Sequence, residues 1–160
     1  AITVSQFEPE AMNTALFDVE PPPENMVDGR DFLVCRGNGN IDLVGKAAFP
    51  PESMPGVLFP DTMIGFRLDM DRVAKAYLQM VWKSGAVRGQ IVAKARTTSG
   101  IHKVNQQTLK STTFPLPPIG EQLRFAELAD RVRELQVLIN TGLGSALLGS
   151  LTQRAFRGDT

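Results

Sequence analysis

Two polar stretches hold most of the side chains that could do chemistry in this sequence. The first, RGNGN, offers Arg36, Asn38 and Asn40, with Lys46 shortly after; the second, KARTTSGIHKVNQQ, offers Lys94, Arg96, Thr97, Thr98, Ser99, His102, Lys103 and Asn105. The chemistry these types suit is binding. Arg and Lys donate to guanine O6 and N7, Asn and Gln pair with adenine N6 and N7, and Ser and Thr reach bases or phosphates. On that basis Lys46, Lys94, Arg96 and Lys103 are expected on phosphates, and Arg36, Asn38, Asn40, His102 and Asn105 on base edges. The same residue types fill ordinary turns, so composition by itself does not decide.

Catalytic constellations are missing. GNGNIDLVGKAA invites a phosphate-loop reading at Gly45-Lys46, but Asn40 rather than Gly stands five positions before Gly45, and Ala47 replaces the required hydroxyl residue. GNGNID also lacks the third glycine of the dinucleotide fingerprint. The chain has one His and one Cys, 67 residues apart, which argues against a zinc site or a Cys/His nucleophile pair. An enzyme is not expected, nor a metal or cofactor.

The net charge of zero conceals an asymmetry. Residues 1–60 carry nine acids and three bases, residues 61–115 three acids and nine bases, and residues 116–160 five of each. Between Arg72 and Gly120 there is no carboxylate but eight Lys/Arg and the lone histidine. Such a zone sustains a local positive potential and suits an anionic partner, unless acids fold beside it. No apolar run approaches the roughly 20 residues that cross a bilayer, and no signal-peptide pattern opens the chain. The start without Met reads as a fragment or a processed chain. The single cysteine, Cys35, fits a reducing cytoplasm and an inert buried thiol.

The elements that must position these residues follow from periodicity. Asp28-Gly29 signals a turn, and DFLVC and IDLVGKAAF read as two strands of a hairpin tipped by RGNGN. VLFPDTMIGFRLD reads as a strand pair or a bent strand. DRVAKAYLQMVWKSG reads as a helix capped by Asp71, with Val73, Tyr77, Met80 and Val81 on one face and Gly85 ending it. SGAVRGQIVAKA reads as a second short helix. The following polar segment reads as loop, one helical turn near NQQTL, and a strand up to Phe114. Pro115, Pro117 and Pro118 then stop one structure and launch another. Beyond them Phe125, Leu128, Val132, Leu135 and Ile139 keep coiled-coil spacing, continued by Leu143, Leu147 and Leu151. A helix from Ile119 to about Phe156 would be roughly 57 Å long and would seek a partner for part of its length. The fold class is thus α+β: a mixed sheet and hairpin domain with small helices over 1–117, then a long coiled-coil helix over 118–160.

Several motifs, in this order, resemble the specificity subunits of type I restriction–modification systems. They are the strand with Gly29, Asp31, Leu33 and Arg36, then LVGK, then the YL…SG…K-x-N…L run. FPLPPIGEQ at the domain's end and SLTQRAFRG at the helix's end are the most specific. The resemblance implies a non-catalytic ruler: a target recognition domain reads one half of a split double-stranded DNA site, and a conserved helix sets the distance to a second specificity domain or a second copy of the chain. It implies DNA adenine methyltransferase subunits and ATP-dependent restriction subunits as partners, in the cytoplasm with no membrane association. Full subunits hold two recognition domains and two helices, whereas this chain holds one of each. Two other readings stay open: a specificity module cut from a fused restriction–methyltransferase polypeptide, and a coiled-coil interaction protein that does not bind DNA.

Overall fold

The computed structural model describes Phe7 and residues 14–140. The chain divides into two compact units, Ala1–Gln122 and Leu123–Thr160. After a 3-10 turn at Pro23–Asn25, the strands are β1 (Met26–Val27), β2 (Asp31–Cys35), β3 (Gly37–Asn38), β4 (Ala47–Ala48), β5 (Met54–Leu58), β6 (Met63–Arg67), β7 (Arg96–Thr98) and β8 (Ile101–Lys103). The helices are α1 (Lys75–Trp82), α2 (Gly85–Lys94), α3 (Gln106–Lys110) and α4 (Ile119–Asn140). No helix among the described residues is long and apolar enough to cross a membrane.

Among the described residues three small antiparallel sheets form, ordered β1-β5, β4-β2-β6 and β3-β8-β7. β2 is the central strand of the second sheet, and all five of its residues are buried. Successive strand side chains point to opposite faces. Phe32 and Val34 enter the main core with Phe49, Leu78, Trp82 and Ile91, while Leu33 enters a smaller cluster with Val27 and Ala48. Burial on both faces is why DFLVC reads as an uninterrupted apolar run. Its first residue is the exception, and Asp31 is matched by a bidentate pair from Arg67, Nε to Oδ1 at 2.9 Å and Nη2 to Oδ2 at 3.2 Å. At the other end the strand changes partners. Arg36 donates its N–H to Thr62 O at 2.7 Å and accepts from Val104 N at 2.9 Å, so Cys35 closes one sheet and Gly37 opens another.

The hairpin expected from DFLVC and IDLVGKAAF exists, but its second strand shrinks to Ala47–Ala48. Residues 41–45 are turns instead. Their apolar side chains serve the core rather than a strand: Val44 is fully buried, and Gly45 takes a positive φ of 75°. β5 and β6 are two separate strands in different sheets. Asp71 does not cap α1, whose N-cap is Ala74 with no side-chain cap of its own, and the deeply buried face is Tyr77, Leu78 and Trp82. α1 stops at Trp82, so Gly85 opens α2, behind an N-cap from Ser84 Oγ. No strand runs up to Phe114.

The segment before α4 is extended, and its hydrogen bonds explain the prolines. Three prolines remove three N–H donors, so a sheet ladder could not form there. Side chains take over at every second residue. Gln90 brackets Thr113, accepting from its N–H at 2.9 Å and donating to its C=O at 2.8 Å. Tyr77 Oη donates to Pro115 O at 2.8 Å. Gln122 Nε2 donates to Pro117 O at 2.7 Å and to Arg72 O at 2.9 Å, while its Oε1 accepts from Ala74 N at 2.9 Å. Gln122 is thus fully buried and fully bonded, and it supplies the cap that α1 lacks. Within the first unit, this carboxamide locks the first turn of α4 to the start of α1.

α4 is helical through Asn140, the last described residue. In the second unit, Phe125, Leu128, Val132, Leu135 and Ile139 lie along it and are all 49% or more exposed. Arg131–Glu127 and Arg133–Asp130 pair on its surface, and such exposed pairs contribute about 0.3–0.5 kcal/mol each. Leu143, Leu147 and Leu151 fall outside the described residues, and no coiled-coil pairing is present among those described.

Candidate nucleic-acid interface

The two polar stretches, some 60 residues apart in sequence, meet in one sheet. β3 carries Asn38 from the first, and β7 and β8 are the two arms of a hairpin formed by the second. The register sets Gly37 opposite Lys103 and Asn38 opposite His102 on one side of β8, with Arg96 opposite Lys103 and Thr97 opposite His102 on the other. Thr98 pairs with Ile101, and the turn between them is Ser99-Gly100, both at positive φ (50° and 76°), as a two-residue hairpin of the I′ kind demands. The Ser-Gly dipeptide is a turn signal that would have found this hairpin, despite its polar strands.

Two rows of side chains result. In one, His102 lies between Asn38 and Thr97, and its Nδ1 shares a hydrogen bond with Thr97 Oγ1 at 2.9 Å. In the other, Arg96 and Lys103 stand directly opposite each other, both exposed, and neither has a side-chain partner among the described residues. Like charges in that position destabilise a sheet unless something anionic sits between or above them. The third member of the row is Gly37, and a Cβ there would come 3.2 Å from Lys103 Cγ, so the missing side chain leaves room for the lysine stem.

The remaining candidates surround this sheet. Arg36 is exposed at its edge, with Nη1 3.4 Å from Asp61 O. Lys46 immediately precedes β4, and its carbonyl accepts from Cys35 N at 2.8 Å, next to Arg36 in sequence. Asn40 and Asn105 are exposed, the former in the turn after β3, the latter as N-cap of α3. Lys94 ends α2 and donates to Ser111 Oγ at 2.8 Å. Lys94, Arg96, Asn105, Gln107, Thr108 and Ser111 line a shallow depression that contains no carboxylate.

Sequence reasoning missed what holds the turn at residues 41–45, which follows RGNGN. Arg88 on α2 donates to Val44 O, and its other nitrogen reaches Ile41 O and Asp42 O at 3.4 Å. Burial pushes this guanidinium below its ordinary pKa, and carbonyls rather than a carboxylate satisfy it. Trp82 Nε1 adds a bond to Gly45 O at 2.8 Å. Gly45 itself is pressed against α2, where a Cβ would fall 2.4 Å from Ile91 Cγ2. None of these contacts leaves a local signal, because each joins residues 37 to 47 positions apart. Burial raises the Cys35 thiol above its usual value, so it stays protonated and inert. No cluster of three or more His, Cys, Asp or Glu that could hold a metal occurs among the described residues.

The chain is 32% identical over 142 residues, 83% of its length, to the type I restriction enzyme StySPI specificity subunit of Salmonella potsdam. The chain belongs to the family of type I restriction specificity subunits. It spans about 30% of the length of that relative. No protein-family model matches it.

Proposed function

We propose that the chain is a DNA-recognition module of a type I restriction system that reads one half of a split duplex site and has no catalytic activity of its own. We assign the recognition role to residues 1–117 and the spacer and assembly role to residues 118–160. The observation that carries this reading is the convergence of Arg36–Asn40 and Arg96–Asn105 on one sheet, with Arg96 and Lys103 opposed and unneutralised. A phosphodiester between or above those cations removes the repulsion that the bare sheet carries. DNA methyltransferase and restriction subunits supply the chemistry, in the cytoplasm. A second specificity domain or a second copy of the chain pairs with α4.

The test is duplex binding as a function of salt. Removing one phosphate-binding side chain shallows the slope of log K against log salt by about one unit. Arg96→Ala/Lys103→Ala is expected to shallow it by about two, for every duplex sequence alike. An unchanged slope would remove this sheet from the DNA face.

A further inference from the structure

The three asparagines on this surface each already commit the carboxamide oxygen to one backbone N–H. Asn38 Oδ1 accepts from Asn40 N at 2.9 Å, Asn40 Oδ1 accepts from Asp42 N at 2.9 Å, and Asn105 Oδ1 accepts from Thr108 N at 2.8 Å. In each case the partner is a backbone N–H, which only the oxygen can accept, so the orientation of all three carboxamides is determined by the bonding. What each still presents is Nδ2, with two donor hydrogens. Reading adenine takes both halves of a carboxamide, a donor for N7 and an acceptor for N6–H. Here one lone pair of each oxygen is spent on the turn or the cap, which also fixes the carboxamide plane, while both Nδ2 hydrogens are unused among the described residues. The neighbouring Arg36, Arg96 and Lys103 are donors only.

We propose that this surface reads hydrogen-bond acceptors: guanine O6 and N7 in the major groove, flanked by phosphate oxygens, and not adenine through asparagine pairs. The proposal rests on the DNA-binding reading above and narrows it to a base. Guanine is the base whose major-groove edge shows two acceptors and no donor.

Asn→Asp substitution separates this role from a structural one. Aspartate accepts the same backbone N–H in an Asx turn or an N-cap, so the local fold is kept while the donor becomes an acceptor. The full chain, at micromolar concentration because one half-site binds weakly, is used to select from a library of randomised duplexes. Guanine is expected at the contacted positions. Replacing those guanines by 7-deazaguanine, which lacks the N7 acceptor, is expected to weaken wild-type binding about tenfold without changing its salt slope, which separates base contacts from phosphate contacts. Asn38→Asp and Asn105→Asp are expected to lose about tenfold on the selected duplex with unaltered melting temperature. Selection of adenine at those positions, indifference to 7-deazaguanine, or Asn→Asp variants that bind like wild type would each overturn the proposal while DNA binding itself stands. Failure of the wild type to bind any duplex would overturn the DNA-binding reading instead.

Discussion

Gln122→Ala should be among the most damaging substitutions in the first unit, although glutamine is an ordinary residue for a helix surface. Truncation leaves three backbone groups without partners: the buried Ala74 N–H and the carbonyls of Arg72 and Pro117. A buried donor left unmade costs about 1–3 kcal/mol, and the loss of each carbonyl bond about 0.5–1.5 kcal/mol. With some recovery as water or the chain relaxes, the expected loss is about 3–5 kcal/mol, a large part of the roughly 5–15 kcal/mol that stabilises a domain. At about 4 °C per kcal/mol for a unit of this size, the melting temperature should fall by about 12–20 °C. Gln122→Glu sharpens the test. It keeps the acceptor for Ala74 N–H but turns a charged oxygen toward two carbonyls, so burial and repulsion raise its pKa in the folded state above the unfolded value. A raised folded pKa means the stabilising form is the protonated one, fully present below the unfolded pKa of about 4.3 and lost as pH rises through the folded value. The Glu variant should therefore melt below the Ala variant near neutral pH and regain ground on it as pH falls. Thermal melts of the three proteins at several pH values decide it. A loss below about 1 kcal/mol for Gln122→Ala, or a Glu–Ala difference that ignores pH, would refute the lock.

Three further predictions use other parts of the molecule. Gly45→Ala combines a positive φ with a Cβ driven into Ile91, so denaturant melts should show a loss of about 2–4 kcal/mol, and a neutral effect would mean the turn can open away from α2. The Arg30 side chain and amide hold the Asp28 carboxyl well below the usual carboxylate range. Its contribution is therefore complete above the unfolded pKa and is lost as pH falls below about 4, so Asp28→Asn should flatten the acid limb of a plot of melting temperature against pH. Leu128→Glu/Leu135→Glu alters two exposed positions of α4 and should leave the first unit's melting unchanged while abolishing self-association in light scattering; a wild type that stays monomeric at high concentration removes this role for the helix.

Helices and the proline junction were legible in the sequence because their signals are local. The existence of α1 and α2, the NQQTL turn and the launch of α4 at Ile119 all rest on patterns within a few residues of the structure they specify. The misreadings share another cause. IDLVG looked like a strand because its apolar residues enter the core, but the chain brings them there through turns that Arg88 and Trp82 tie down from more than 35 positions away. Thr112 to Phe114 looked like a strand because β-branched and aromatic residues precede the prolines. That stretch is extended, yet side chains, not a neighbouring strand, hold it. Asp71 looked like a cap because it stands where one belongs, while the acceptor that caps the helix arrives from position 122.

The site divides along the same line. Residue types alone picked out both polar stretches as neighbours in chemistry, but their union in one sheet depends on the register of β3 against β8, which no local pattern reveals. The functional reading of individual asparagines changes most. In sequence an asparagine is both donor and acceptor; in the folded chain Asn38, Asn40 and Asn105 stabilise the turns and cap that display them, and this uses one of the two acceptor positions of each oxygen and fixes the carboxamide plane. The same hydrogen bonds that make the loops rigid enough to read DNA thereby limit what those loops can read. A loop with freer asparagines would meet more bases but would lose more conformational freedom at each contact, and recognition of half a site has little binding energy with which to offset that loss.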